Sequence, residues 1–191
     1  MLIYLVRHGE TDWNLNDKIQ GSSDVPLNKT GMEQAKALGE RLKGVKFDRV
    51  YCSPLRRARE TAEIALRTAG VADEVVENIV VDANLVERDY GEYEGCSGKE
   101  FDFAKYWDFE LNCDEAGVEP IRAMFARGAK VKETLWRDNK PDDVVMIVAH
   151  GAALKAVYFN LVGYEVGKTN FRGFRLKNAE ERVIEVKKDA V

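Results

Sequence analysis

The stretch Val144-Val145-Met146-Ile147-Val148-Ala149, closed by His150-Gly151, is the strongest strand signal in the chain. An unbroken apolar run of this length, without polar alternation, fits a strand covered on both faces, as in a parallel sheet flanked by helices. Near the start of the chain Leu2-Ile3-Tyr4-Leu5-Val6 has the same character and stops abruptly at Arg7-His8-Gly9. Two buried strands that each end in histidine followed by glycine set the frame for the rest.

Between them, helical and extended patterns alternate. From Thr30 to about Lys43 the period is helical: Thr30-Gly31-Met32-Glu33 spells a capping box, Ala35, Leu38 and Leu42 share a face, and Gly44 can close the end. Phe47 to Cys52 reads as a second strand. Ser53-Pro54 then suits a helix start, and Ala58, Ala62, Ala65 and Ala69 supply a small-residue stripe up to Gly70. Val75 to Val81 is expected to be a third strand. The polar and aromatic stretch from about Tyr90 to Glu119 has no clear period and reads as an insertion over the core, at about 92–120. Ile121 to Arg137 is helical, with Phe125, Val131 and Leu135 among its apolar positions. After the Val144–Ala149 strand come a helix from about Ala152 to Leu161 and a last strand near Arg182 to Val186. This alternation predicts one domain over residues 1–191, a three-layer α/β/α sandwich with a mostly parallel sheet.

Composition bounds the function. The 191 residues carry 29 basic and 33 acidic side chains, a net charge of −4, with a pI near 5.4 and a mean hydropathy of −0.38. These values exclude disorder and weaken any nucleic-acid reading, which needs a basic surface against backbone phosphates. No apolar stretch approaches the roughly 20 residues of a membrane span, and Met1 leads straight into a strand-like run, so no secretory leader is expected. The expectation is a cytoplasmic protein, monomer or homodimer, without nucleic-acid or membrane partners. Cys52, Cys96 and Cys113 are an odd number without C-x-x-C spacing, which suits reduced thiols.

Only two histidines occur, so any imidazole chemistry must use His8 and His150. If the strands are parallel, His8, Arg57, Glu87 and His150 all emerge at the carboxyl edge of the sheet, where open α/β folds bind ligands. Two imidazoles, the guanidiniums of Arg7, Arg57 and Arg59, and one carboxyl group, set among Gly9 and Gly151, suit a phosphoryl group. Guanidinium forks neutralise phosphate oxygens, and an unprotonated imidazole can attack phosphorus. Plainer readings exist for each residue alone. A strand-end histidine can simply be satisfied by its neighbours, Arg56, Arg57 and Arg59 can form a solvated face with Glu60 and Glu63, and Glu87 can pair with Arg88 at the surface. A cysteine-based phosphatase is disfavoured, because it needs five residues between cysteine and arginine and only four lie between Cys52 and Arg57. No H-x-H or D-x-D cluster suggests a metal, and no cofactor is expected.

The arrangement resembles the histidine phosphatase superfamily, the phosphoglycerate mutase-like family. Leu5-Val6-Arg7-His8-Gly9-Glu10-Thr11-Asp12-Trp13-Asn14 matches its R-H-G-x-T-x-x-N signature, and Gln20-Gly21, Pro26-Leu27 and Gly31 continue it. The segment from Tyr51 to Ala62 resembles the S-P-L-x-R-A-x-x-T-A block, Leu85 to Gly91 with Glu94-Gly95 the L-x-E-x-x-x-G-x-x-E-G block, and Val148-Ala149-His150-Gly151 the final V-x-H-G. The resemblance implies that His8 is a nucleophile forming a phosphohistidine, that Arg7, Arg57 and His150 hold the phosphate oxygens, and that Glu87 is the general acid and then base. It further implies pocket roles for Asn14, Gln20, Gly21, Arg59, Tyr90 and the backbone at Gly151 and Ala152, with a small phosphorylated metabolite as partner. The chain is shorter than the family's glycolytic mutases, which favours a phosphatase over a mutase or a non-catalytic phosphate-binding regulator. Phe101, Phe103, Tyr106, Trp107 and Phe109 lie where the family places variable covering structure, and read either as a substrate lid or as a satellite hydrophobic cluster. Tyr93 stands where tryptophan is common in the family, and the Asn170 to Asn178 stretch departs from its usual pattern.

Overall fold

The computed structural model describes residues 1–187, in which the order of elements is β1 (Leu2–Arg7), α1 (Asp12–Leu15), α2 (Lys29–Arg41), β2 (Arg49–Cys52), α3 (Arg56–Ala69), α4 (Asp73–Glu77), β3 (Val80–Val81), α5 (Phe103–Tyr106), α6 (Ile121–Asp138), β4 (Val144–Ala149), α7 (Gly151–Val162) and β5 (Glu181–Glu185). The sheet runs β3-β2-β4-β1-β5. Strands β1, β2, β3 and β4 are parallel to their neighbours, with Leu2 opposite Val144 and Arg7 opposite Ala149, and only β5 is antiparallel, against β1.

Alternation along the strands builds the three layers. Ile3, Leu5, Val145, Ile147 and Ala149 face α6 and α7, whereas Val6, Val50, Met146 and Val148 face α2 and α3. Each fully buried leucine, isoleucine or valine contributes roughly 1.5–3 kcal/mol, so both faces of β4 are held. The chain leaves β1 through α2 on one face and leaves β4 through α7 on the other. Adjacent strands that feed opposite layers open a crevice at their carboxyl ends, the usual ligand position in such sheets. Among the described residues, no helix is long and apolar enough to cross a membrane.

Several local expectations need correction. The third strand shrinks to Val80–Val81, because residues 73–77 form α4, with Asp73 and Glu74 at its positive end and Val76 buried against the α2–α3 core. Helix α2 is capped by Asn28, whose side chain accepts from the Gly31 N–H, and not by Thr30. Helix α3 starts at Arg56 and not at Pro54. Its first N–H is satisfied from a distance by the Asp24 carboxylate at 2.7 Å, which frees Ser53 for another task. The stripe on α3 is as expected: Ala58, Ala62 and Ala65 are buried and Gly70 ends the helix in the left-handed region.

The segment 92–120 is a series of short turns around α5. Most of its aromatics pack, as the cluster reading expects. Phe101 and Tyr106 are buried with Ile19, Tyr90, Cys113 and Val118 in a satellite cluster, and Phe109 joins the main core. Phe103 is half exposed and lines the cleft described next.

Candidate active site

β1 ends by placing His8 at the crevice, and the loop after it is held tightly. A side chain at Gly9 would put its Cβ 2.6 Å from the Gly31 carbonyl oxygen, so this position needs glycine to let the loop pack on the start of α2. The Gly9 N–H donates to Thr61 Oγ1 at 2.9 Å. Asn178 donates to the carbonyls of His8 and Gly9 at 3.1 and 3.2 Å and to Asn14 Oδ1. The His8 ring is fixed in the same way: Nδ1 lies 2.7 Å from the Gly9 carbonyl, so it carries the proton and donates it there. Nε2 is left with its lone pair. Burial first, then Arg57 and Arg7, hold His8 well below the ordinary histidine value, so the ring is neutral.

Arg57, in the first turn of α3, is fully buried and tied through all three of its nitrogens. Nε donates to His150 Nδ1 at 3.2 Å, Nη1 to the Ser23 carbonyl at 2.6 Å and Nη2 to the Gly21 carbonyl at 2.7 Å. Burial pushes its value down to about 10, against the pull of Glu87, which leaves it a cation at neutral pH. Gly21 has φ +52°, and a Cβ there would overlap the Glu94 carboxylate. Glu94 in turn accepts from the backbone N–H groups of Ser22 and Ser23 at 2.7 and 3.0 Å, so the carbonyls that grip Arg57 are themselves braced. Arg7 donates through Nη1 to the Leu176 carbonyl at 2.9 Å. Its Nε is buried and has no hydrogen-bond partner among the described residues.

His150, at the end of β4, is fully buried with its ring centroid 5.1 Å from that of His8. Because Nδ1 accepts from Arg57, the proton is on Nε2, which donates to Ser53 Oγ at 2.7 Å. Both nitrogens are therefore engaged, and in this geometry His150 orients Arg57. Burial, then Arg57 and His8, keep it neutral as well.

Glu87 reaches the N-terminus of α7, where its carboxylate accepts from the N–H groups of Ala152 and Ala153 at 3.1 and 2.9 Å. Helix N-termini favour an acceptor of this kind. Ala152 thus acts on Glu87 and not directly on a ligand. Gly151 lies beside the same group, its Cβ position 3.8 Å from Glu87 Oε2 and 3.9 Å from Arg7 Nε. The backbone before Glu87 is gripped by Arg127, which donates to the carbonyls of Asn84 and Val86 at 2.7 and 2.9 Å and forms an ion pair with Glu119. The surface pairing of Glu87 with Arg88 does not occur: Arg88 is fully buried.

Arg7, His8, Asn14, Gln20, Gly21, Arg57, Glu87 and Tyr90 line one cleft of about 290 Å³, beside Arg175. Arg59 does not join them. It is exposed on the outer side of α3, near Glu63 and Arg67, because two positions past Arg57 a helix has turned by roughly 200°. Arg56 behaves as the plainer reading expects, pairing with Glu60 at 2.6 Å on the surface. Cys52 lies in β2 with its thiol pushed up to about 12 by burial, so it is no nucleophile. Sequence reasoning missed Ser53 as a partner of His150, Thr61, Glu94, Asn178, Arg127 and Arg175. Ser53, Thr61 and Glu94 stand inside the quoted blocks, but Asn178, Arg127 and Arg175 meet the site only across long sequence separations.

Two neutral imidazoles, one with a free lone pair, one buried and one partly buried guanidinium and one helix-capped carboxylate can bind a phosphoryl group and offer it a nitrogen nucleophile. Residues 3–191 match the family model of the histidine phosphatase superfamily, branch 1. The chain is 38% identical over 178 residues to the uncharacterized phosphatase PhoE of Bacillus subtilis, covering 93% of this chain and 84% of that one. It is 33% identical to the 2,3-bisphosphoglycerate-dependent phosphoglycerate mutase of Mesorhizobium japonicum, over 84% of this chain and 81% of the mutase. A mycobacterial glucosyl-3-phosphoglycerate phosphatase, solved with VO3, superposes with a TM-score of 0.81 at 26% identity, covering 95% of this chain and 91% of that one.

Proposed function

Since the chain belongs to the histidine phosphatase superfamily, we propose that it is a metal-independent phosphatase that hydrolyses a small phosphomonoester through a phosphohistidine on His8. The observation that carries this reading is the His8 ring, whose Nδ1–H is held by the Gly9 carbonyl at 2.7 Å so that the Nε2 lone pair faces a cleft containing Arg7 and Arg57. In the first step Nε2 forms a bond to phosphorus while the bond from phosphorus to the ester oxygen breaks. Glu87, entering this step in its protonated form, gives its proton to that oxygen and is left a carboxylate. In the second step water adds to phosphorus, Glu87 takes its proton, and the P–N bond breaks to release phosphate and restore His8. Arg7 and Arg57 neutralise the charge spread over the non-bridging oxygens, the largest contribution in phosphoryl transfer.

The phosphoglycerate mutase relative supports a second reading, in which the phosphoryl group returns to a sugar acid instead of passing to water. The two separate in one experiment. Phosphate release from a panel of phosphomonoesters that includes 3-phosphoglycerate is measured with a chelator present, for wild type and His8→Ala, while 2-phosphoglycerate is followed in parallel. Release that survives the chelator and needs His8 is expected. Isomerisation without release would make the protein a mutase, and neither activity would favour a phosphate-binding regulator.

A further inference from the structure

A second cleft of about 600 Å³ lies beside the catalytic one, with Phe103 lining both, and it is the larger by about a factor of two. Trp107 and Phe171 supply its rings, and Lys155 and Arg172 its cations. Lys155 stands four residues after Gly151 on α7, so it shares the helix face that looks on the catalytic centre, about 6 Å further along. Its Nζ lies 4.3 Å over the Trp107 ring, and the buried Arg88 guanidinium lies 5.6 Å from that ring. Arg88 Nε donates to the Glu119 carbonyl at 2.8 Å, while both Nη atoms are buried without partners among the described residues. Trp107 is therefore held in place by two cations.

The cleft carries more cations than anions: Lys155 and Arg172 line it against the single carboxylate of Asp108. Among the described residues Lys155, Arg172 and Arg175 form no ion pair within 4 Å, and the carboxylate lining the cleft, Asp108, is used by the N–H groups of Glu110 and Leu111 in its own turn. A half-buried ammonium left unpaired is costly unless a ligand supplies the charge.

We propose that this cleft is the leaving-group subsite of the reaction, and that the substrate class is a phosphomonoester whose alcohol carries a flat ring for Trp107 and a second anionic group for Lys155 and Arg172, about one helical turn from phosphorus. The inference rests on the hydrolase reading for its kinetic test. A short ester fills only the first cleft, whereas an extended one passes Phe103 and uses both. Burial, with Arg175 and Arg172, pushes Lys155 down to about 8 against the pull of Glu87. With Glu87, Arg88, Asp108, Arg172 and Arg175 as the charged groups around it, the anion preference fades as pH rises through about 8.

The test compares kcat/KM for 4-carboxyphenyl phosphate with that for phenyl phosphate in wild type, Lys155→Met and Arg172→Met. The ratio within each protein cancels the fraction of active enzyme. Wild type should favour the carboxylated ester by about tenfold, the equivalent of one charge-assisted contact. Lys155→Met should bring the ratio near one, with Arg172→Met between. A wild-type ratio near one, or an unaltered ratio in Lys155→Met, overturns the subsite. If wild type releases phosphate from neither ester, the hydrolase reading fails on its own. Calorimetric binding of both esters to His8→Ala then still decides: tighter binding of the carboxylated ester that is lost in His8→Ala/Lys155→Met upholds the subsite, and equal binding overturns it.

Discussion

The crevice between β1 and β4 and the covering segment 92–120 are built by different means. In the crevice, the ring nitrogen of His8 that holds a proton, both ring nitrogens of His150 and all three nitrogens of Arg57 have named partners. Those partners come from strand ends and helix starts whose positions are set by the sheet. The covering segment has only short turns and a satellite cluster around Phe101 and Tyr106, and it leaves Phe103 half exposed. On the proposed function, the contrast separates chemistry from selectivity: the fold holds the proposed phosphoryl site rigidly, while a few aromatic contacts hold the wall assigned to the rest of a substrate.

The sharpest way to break the comparison is His8→Ala. Turnover should fall to background, at least about 10³-fold, while the circular dichroism spectrum stays that of the folded protein. Substantial remaining phosphate release would place the nucleophile elsewhere. Next in size, Glu87→Gln should slow alkyl esters by about 10²–10⁴ and aryl esters with good leaving groups far less, read as kcat across a leaving-group series. Equal losses across the series would deny Glu87 its proton-transfer role.

Stability should separate the two aromatic roles. Phe101→Ala removes a ring that is 4% exposed and in contact with Tyr90, Tyr93 and Tyr106, and should cost about 3 kcal/mol in urea unfolding. Phe103→Ala should cost under about 1 kcal/mol and act instead on KM. The reverse order would mean that Phe103 is the structural member.

The smallest effect concerns pH. His8 and His150 are depressed in the folded state, so as pH falls below about 6.5 the unfolded chain takes up protons first and stability declines. The slope is at most about 1.4 kcal/mol per pH unit for each histidine. Between about 6.5 and 5.5 the histidines dominate, because the depressed carboxylates Glu94 and Glu181 begin to contribute only within about one pH unit of the 4.5 of an ordinary glutamate. Denaturant midpoints across this window should show the decline in wild type and about half of it in His8→Gln. A flat wild-type profile would mean that the rings protonate in place.

The frame of the site was legible because its signals are local. Apolar runs marked β1 and β4, the alanine stripe marked α3, and the residue that follows each strand is where a parallel sheet exposes its side chains. The third strand is shorter than its pattern suggests, starting at Val80 instead of Val75, because Val76 finds its burial from a helix against α3, a contact that β propensity does not encode. Arg59 failed as a pocket residue for a simpler geometric reason, the turn of the helix.

By itself the sequence determined the layers, the strand ends that carry His8 and His150, and the cationic, imidazole-bearing character of the site, since all of these follow from periodicity and nearest neighbours. Only the tertiary structure decided which nitrogen of each histidine holds a proton, that Ser53 orients His150 instead of capping α3, that Glu87 sits on the start of α7, and that Lys155 faces Trp107 in a second cleft. Those relations join residues up to 97 positions apart. They exist only once burial has made an unpartnered polar atom too costly to leave, and the fold has settled which groups are close enough to meet it.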